Sequence, residues 1–206
     1  MIETEVIILK TVNFKETSLI LHCLSPDLGK ISLMARGARK ITKKKFPQIG
    51  LFRVLNVEVS PPKEGELYTL AKSDIEIIND HLATSPTLLD FSAAVSQMAL
   101  KCSHSGSACP VFYNAIIDSL KNIDKSDIPE SAWICRIIVS FLMEQGLFPA
   151  IDLSPFQKTI INTLLDKDYT LLETLNLQKD QWSKLRKWVI NTTFFTGVEL
   201  PANPYF

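Results

Sequence analysis

Between Asp27 and Glu58 the chain carries eight basic residues and no acidic one: Lys30, Arg36, Arg39, Lys40, Lys43, Lys44, Lys45 and Arg53. The chemistry this offers is phosphate recognition, because clustered cations concentrate counter-ions and release them when a polyanion binds. A lysine triplet alone reads first as a solvated loop. Arg36 and Arg39 shift the reading towards phosphate, since a planar guanidinium fork matches two phosphate oxygens. Gly37 between them allows close backbone approach to a ligand. Phe14, Phe46 and Phe52 are candidates for stacking on bases, although aromatics in strands usually fill a core.

Other chemistry is poorly represented. The run Cys102-Ser-His104-Ser-Gly-Ser-Ala-Cys109 holds three zinc-type ligands, but its spacing matches no standard finger and a fourth ligand is not evident. The expectation is therefore no metal and no cofactor. The three histidines (His22, His81, His104) accompany no nucleophile elbow, phosphate-binding glycine loop or H-E-x-x-H helix. Asp166 and Asp168 read as solvated carboxylates at a helix end, so a catalytic role is not expected. Trp182, Leu185, Val189 and Thr193 with Lys184, Arg186 and Lys187 suit an amphipathic packing helix whose basic face is open to DNA or to an acidic partner.

Two kinds of element must position these residues. Up to residue 73, short β-branched and aromatic runs at 6–14, 18–24, 30–35, 51–60 and 67–71 are separated by turn chemistry such as Ser25-Pro-Asp-Leu-Gly29 and Pro61-Pro-Lys-Glu-Gly65. Five strands are too few for a sandwich and suit a Greek-key OB-fold barrel, with 36–48 inserted between strands three and four. After residue 80 the period becomes helical. Ser85-Pro86, Pro110, Asp127 ahead of Pro129, and Ser154-Pro155 open four helices. A short helix near 170–175 and a last one over 179–194 follow. The third segment, with Trp133, Ile134, Ile137, Ile138, Phe141 and Leu142, is apolar nearly all round and predicts a central buried helix.

The reading is an α+β chain of two domains, an OB-fold barrel over 1–80 and an all-helical domain over 81–206. The composition, 46% hydrophobic and 21% charged in 206 residues, excludes a disordered or low-complexity chain. Zero net charge conceals an asymmetry: residues 1–60 hold ten basic and five acidic residues, leaving the balancing negative charge to 61–206. Without an apolar run of membrane length or a signal-type N-terminus, the expected location is cytoplasmic and nucleoid-associated, with the four cysteines as reduced thiols.

Three segments carry a specific resemblance. Lys10-Thr-Val-Asn-Phe-Lys-Glu16-Thr-Ser-Leu19-Ile20, Leu24-Ser-Pro-Asp-Leu-Gly29-Lys30-Ile-Ser and Ala35-Arg36-Gly37-Ala38-Arg39-Lys40 resemble the N-terminal part of the bacterial recombination mediator family RecO. Leu70-Ala-Lys-Ser-Asp74 is similar to that family's last barrel strand, and Glu144-Gln-Gly146-Leu-Phe-Pro149 to a helix ending in its helical domain. The resemblance implies binding of single- and double-stranded DNA and strand annealing. It also implies, with RecR, loading of RecA onto strands coated by single-stranded-DNA-binding protein (SSB). The family's basic residues correspond to Lys30, Arg36, Arg39, Lys40 and Lys43 to Lys45. Many members insert a four-cysteine zinc module after the position of Pro149, where this chain reads Ala150-Ile-Asp-Leu-Ser-Pro155 without cysteine. The expectation is a non-enzymatic DNA-binding mediator. Its rival is an OB-domain protein-interaction adaptor that meets nucleic acid incidentally.

Overall fold

The computed structural model describes residues 1–206 except 41–45, 47, 63 and 150–152. The chain divides into two compact units, Met1–Pro110 and Val111–Phe206.

In the first unit, β1 (Ile2–Phe14), β2 (Ser18–Ser25), β3 (Gly29–Ala35), β4 (Val54–Ser60) and β5 (Leu67–Ile77) form a closed barrel in the order β1-β2-β3-β5-β4. This is the expected OB-type architecture of a closed five-stranded barrel followed by helices. β1 is long because it has two partners. Its first half pairs with β4 from Ile2↔Val59 to Ile7↔Val54, its second with β2 from Ile7↔Leu24 to Phe14↔Ser18. A register shift between Ile8 and Lys10 bends the strand between these tasks. Parallel pairing of β3 with β5 (Ser32↔Leu67) closes the circle.

Strand alternation fills the interior with Val6, Ile8, Leu21, Cys23, Ile31, Leu33, Leu55, Val57, Val59 and Leu70. Ile7, Leu9 and Leu24 are buried as well. Helix α1 (Pro86–Cys102) packs on β1 and β2, burying Phe91, Ala94, Val95, Met98, Ala99 and Cys102 at helical spacing. By its contacts α1 thus lies on the barrel side of the division at Pro110.

The segment after α1 clasps the β2–β3 turn. Cys109 N–H donates to the Pro26 carbonyl (2.8 Å), Gly106 N–H to that of Leu28 (2.9 Å), and Lys30 N–H to that of His104 (3.2 Å). Within the turn the Ser25 hydroxyl accepts from the N–H groups of Asp27 and Leu28. Gly29 has φ +66°, and a Cβ there would collide with the backbone carbonyl oxygens of His104 and Ser107.

The second unit is helical: α2 (Pro110–Asn122, entering from the first unit), α3 (Glu130–Glu144), α4 (Pro155–Leu165), α5 (Leu171–Thr174) and α6 (Lys179–Phe194). Every residue of α3 from Ala132 to Leu142 is buried, as its apolar circumference predicts. The N-cap of α3 is Pro129 rather than Asp127, and no side chain caps it. Ser154 does cap α4, in a reciprocal box with Gln157.

Arg136, 4% exposed, donates to the carbonyls of Leu164 (2.9 Å) and Asp166 (2.7 Å) and to the Asp118 carboxylate (2.9 Å). It therefore ties α2, α3 and the end of α4. Glu144 spans both free N–H groups of Val111 and Phe112 at the start of α2, at 2.8 and 2.9 Å. Gly146 (φ +65°) then ends α3, with the N–H groups of Leu147 and Phe148 both returning to the Leu142 carbonyl. The Glu144-Gln-Gly146 motif is thus a helix cap joined to a helix stop.

Burial outweighs Arg136 and holds the Asp118 carboxyl above its ordinary value. The folded state therefore takes up this proton before the unfolded chain does as pH falls. The stability linked to this titration is present below the unfolded value and is lost as pH rises through the folded one.

Two predictions follow from this packing, both read by urea denaturation of the full chain. Gly29→Ala should cost at least about 2 kcal/mol, through left-handed strain and the carbonyl collision together, whereas Gly65→Ala (φ +75°, open space) should cost about 1 kcal/mol. Arg136→Met should cost about 3 to 5 kcal/mol by leaving the Asp118 carboxylate and two carbonyls unpaired. Asp118→Asn, which keeps an acceptor for Arg136, should cost far less and remove the pH dependence just described.

Candidate nucleic-acid interface

Antiparallel pairing of β2 with β3, ending at Leu19↔Ala35, sets the β1–β2 hairpin tip beside the exit of β3. The backbone N–H of Arg39 donates to the Thr17 carbonyl at 2.9 Å, and its guanidinium reaches the Lys15 carbonyl at 3.5 Å. Gly37, at φ +76°, turns the chain so that Lys40 N–H returns to the Gly37 carbonyl (3.1 Å) and the Lys40 stem lies over Gly37. Lys15, Arg36, Arg39 and Lys40 are all exposed at this end, with Glu16 in the same tip. Lys15 itself has φ +52° and holds its ammonium 5.5 Å from the Phe14 ring.

The connection that carries these cations is pinned from within. Ala38 and Phe46 are buried in the barrel core, 8% and 4% exposed, and Phe52 is buried too. Phe46 and Phe52 are therefore core residues rather than stacking platforms, because the barrel end needs apolar side chains to close it. Phe14 is half-buried beneath Lys15. Lys43, Lys44 and Lys45 fall in sequence between the Lys40 turn and the Phe46 anchor and lie outside the described residues.

The two remaining candidates are elsewhere. Lys30 is at the opposite end of β3 from Arg36, roughly 20 Å along the strand at about 3.3 Å per residue. Its Nζ donates to the Leu100 carbonyl in the last turn of α1 at 3.0 Å. Arg53 forms a two-point ion pair with Asp80, Nε to Oδ1 at 2.9 Å and Nη2 to Oδ2 at 2.6 Å, while Nη1 donates to the Gln48 carbonyl at 3.1 Å. Gln48 in turn donates through Nε2 to Ser73 on β5. The side-chain hydrogen bond raises the Arg53 value and lowers that of Asp80. Both cations serve the fold, one fastening α1 and the other the entry to β4.

Lys15 is the cation that the cluster reading leaves out. Its separation from Arg36 in sequence hides it, and the signal is its place at the tip of a hairpin whose next strand leads into the basic turn. On the outer face of β1–β3, Lys10 lies opposite His22, and His22 shares a hydrogen bond with Ser32 (3.0 Å). Burial first, then Lys10 and Lys30, lower the His22 value.

A different face of the barrel is acidic. Glu3, Glu5, Asn56, Glu58, Lys72 and Asp74 line a cavity of about 370 Å³ along β1, β4 and β5. Lys72 lies between Glu58 (3.8 Å) and Asp74 (3.6 Å). Such a surface repels phosphate, so the unit's charge is segregated rather than merely unbalanced.

The loop of Cys102, His104 and Cys109 clasps the β2–β3 turn. Cys102 and Cys109 are buried, and burial raises the Cys102 thiol to about 11. All four cysteines are free thiols. Among the described residues, no three His, Cys, Asp or Glu side chains converge to hold a metal ion. No described helix is long and apolar enough to cross a membrane.

Residues 1–78 match the family model described as Recombination protein O N terminal. A protein named DNA repair protein RecO from Exiguobacterium sibiricum is 25% identical over 153 residues, which cover 74% of this chain and 58% of that protein. One of the same name from Rhodopirellula baltica is 49% identical over 51 residues, 25% of this chain and 18% of its own length. The chain thus spans less than two thirds of either relative. The matched family region coincides with the barrel, from the start of β1 to the end of β5, and the motifs at 10–20, 24–32 and 35–40 lie in its first three strands and the turn that follows. The five-stranded barrel of this chain is therefore similar to the N-terminal domain of RecO proteins over residues 1–78.

Proposed function

We propose that this protein is a non-enzymatic DNA-binding recombination mediator acting in DNA repair in the cytoplasm, at the nucleoid. In this reading it binds single- and double-stranded DNA and promotes annealing of complementary strands. With RecR, it assists loading of RecA onto SSB-coated single strands. The barrel is the DNA-binding domain, and the helical region, lacking the cysteine zinc module, serves partner docking. The observation that carries the reading is the convergence on one end of the barrel of Lys15, from the β1–β2 tip, with Arg36, Arg39 and Lys40, from the connection that in sequence also carries Lys43 to Lys45.

Three physical points support it. Exposed arginines and lysines without an accompanying exposed aromatic pair direct contacts to phosphates, which carry no sequence information and occur on single and double strands alike. Cations that screen the repulsion between two strands while leaving base edges free favour annealing. The acidic outer surface along β1, β4 and β5 helps orient a strand towards the basic end.

Anisotropy titration of a labelled single strand across salt concentrations tests the reading. Neutralisation of about five phosphates gives a log–log slope near −3.5. Alanine at Arg36, Arg39, Lys43, Lys44 and Lys45 together should weaken binding and flatten that slope, with the duplex responding in parallel. Unchanged affinity in that variant would sink the assignment and favour the adaptor reading.

Single substitutions separate charge from architecture. Arg36→Gln and Arg39→Gln should lower DNA affinity while moving stability by less than about 0.5 kcal/mol. Lys30→Gln and Arg53→Gln should do the reverse, each costing about 1 kcal/mol in urea denaturation with little change in the salt slope.

A further inference from the structure

The second unit holds a cationic cavity separate from the barrel. On α6, Lys179, Ser183 and Arg186 follow the spacing of one helical face. With Glu130 and Ser131 of α3, and an apolar wall of Ile123, Ile128 and Pro129 from the α2–α3 connection, they line an open cavity of about 390 Å³. Arg186 is half-buried, and its Nε is enclosed with no hydrogen-bond partner. Among the described residues neither Lys179 nor Arg186 forms an ion pair, whereas Lys184, on the neighbouring strip of α6, pairs with Asp180 at 3.5 Å.

An enclosed guanidinium donor without an acceptor is costly to maintain. The packing of α6 on α3 explains why Trp182 and Val189 are buried, but it does not require a cation at position 186. Two cations and two hydroxyls around one cavity match an oxyanion with several acceptor oxygens. Glu130 is the opposing charge on the wall and limits how strongly the site holds its ligand.

We propose that this cavity is a binding site for a phosphate-type oxyanion. Arg186 presents its fork to two oxygens, Lys179 adds a point charge, and the Ser131 and Ser183 hydroxyls donate to the rest. The anion is either free phosphate or the terminal phosphate of a nucleic-acid strand, which share this chemistry. The proposal is independent of the barrel's DNA binding.

Isothermal titration of the full chain with inorganic phosphate, and with a dinucleotide carrying or lacking a 5′-phosphate, tests it. Saturable binding of phosphate is expected, weakened roughly tenfold by Arg186→Gln and by Lys179→Gln. Glu130→Gln should strengthen it, a change of sign that loss of fold cannot imitate. Lys179 is exposed, so its variant stays informative should Arg186→Gln perturb packing. Tighter binding of the phosphorylated dinucleotide than of phosphate identifies a strand end as the source, and equal or weaker binding identifies the free anion. Absence of saturable phosphate binding overturns the proposal, as does phosphate binding that is indifferent to both cation substitutions.

Discussion

β1 is the strand on which the barrel closes: its first half pairs with β4, its second with β2, and the irregularity between Ile8 and Lys10 lets one strand serve both. Without that bend the pairing with β4 and the β1–β2 hairpin could not belong to one closed sheet. Closure then dictates the rest. It aligns the interior side chains of all five strands and leaves an outer surface on which α1 packs. The β2–β3 ladder sets the hairpin tip against the exit of β3. The hydrogen bonds from Arg39 to Thr17 and Lys15 fasten that contact, so the cationic end of the barrel is a consequence of strand pairing.

Charge in this unit is sorted by the same geometry. The outward positions of β1, β4 and β5 hold Glu3, Glu5, Glu58 and Asp74, whereas the turn after β3 holds Arg36, Arg39 and Lys40. A net charge of zero over the whole chain is therefore compatible with a strongly polarised barrel. Two further cations have been taken into the architecture. Lys30 ends on a carbonyl that the last turn of α1 leaves free, and Arg53 on a carboxylate and a carbonyl that hold the entry to β4. Lys30 and Arg53 thus end on acceptors within the chain, whereas Arg36, Arg39 and Lys40 are exposed.

In the helical unit, buried polar groups do the equivalent work. Arg136 sits in the most apolar helix of the chain and gathers acceptors from α2, α3's neighbour α4 and the segment beyond it. Its geometry specifies where those elements end as well as how they pack. Glu144 closes the start of α2 from the end of α3, which explains the Glu-Gln-Gly pattern as a stop and a cap made by adjacent residues.

The types and order of the elements were legible in the residues, down to the five strands, the Ser154 cap and the buried third helix. Period-two and helical hydrophobic patterns, together with proline and glycine turns, act over a few residues and need no knowledge of the fold. Asp127 misled as a cap because Pro129 takes the N-cap position and the helix begins at Glu130. The candidate site was legible only as a composition. Its membership depended on contacts far apart in sequence: Lys30 meets Leu100, Arg53 meets Asp80, Phe46 enters the core, and Lys15 joins the cluster from another hairpin. The sequence by itself determined the elements, the turns and the surplus of positive charge. Only the tertiary structure decided which charges face solvent, because a side chain's freedom depends on whether a distant part of the chain supplies its partner.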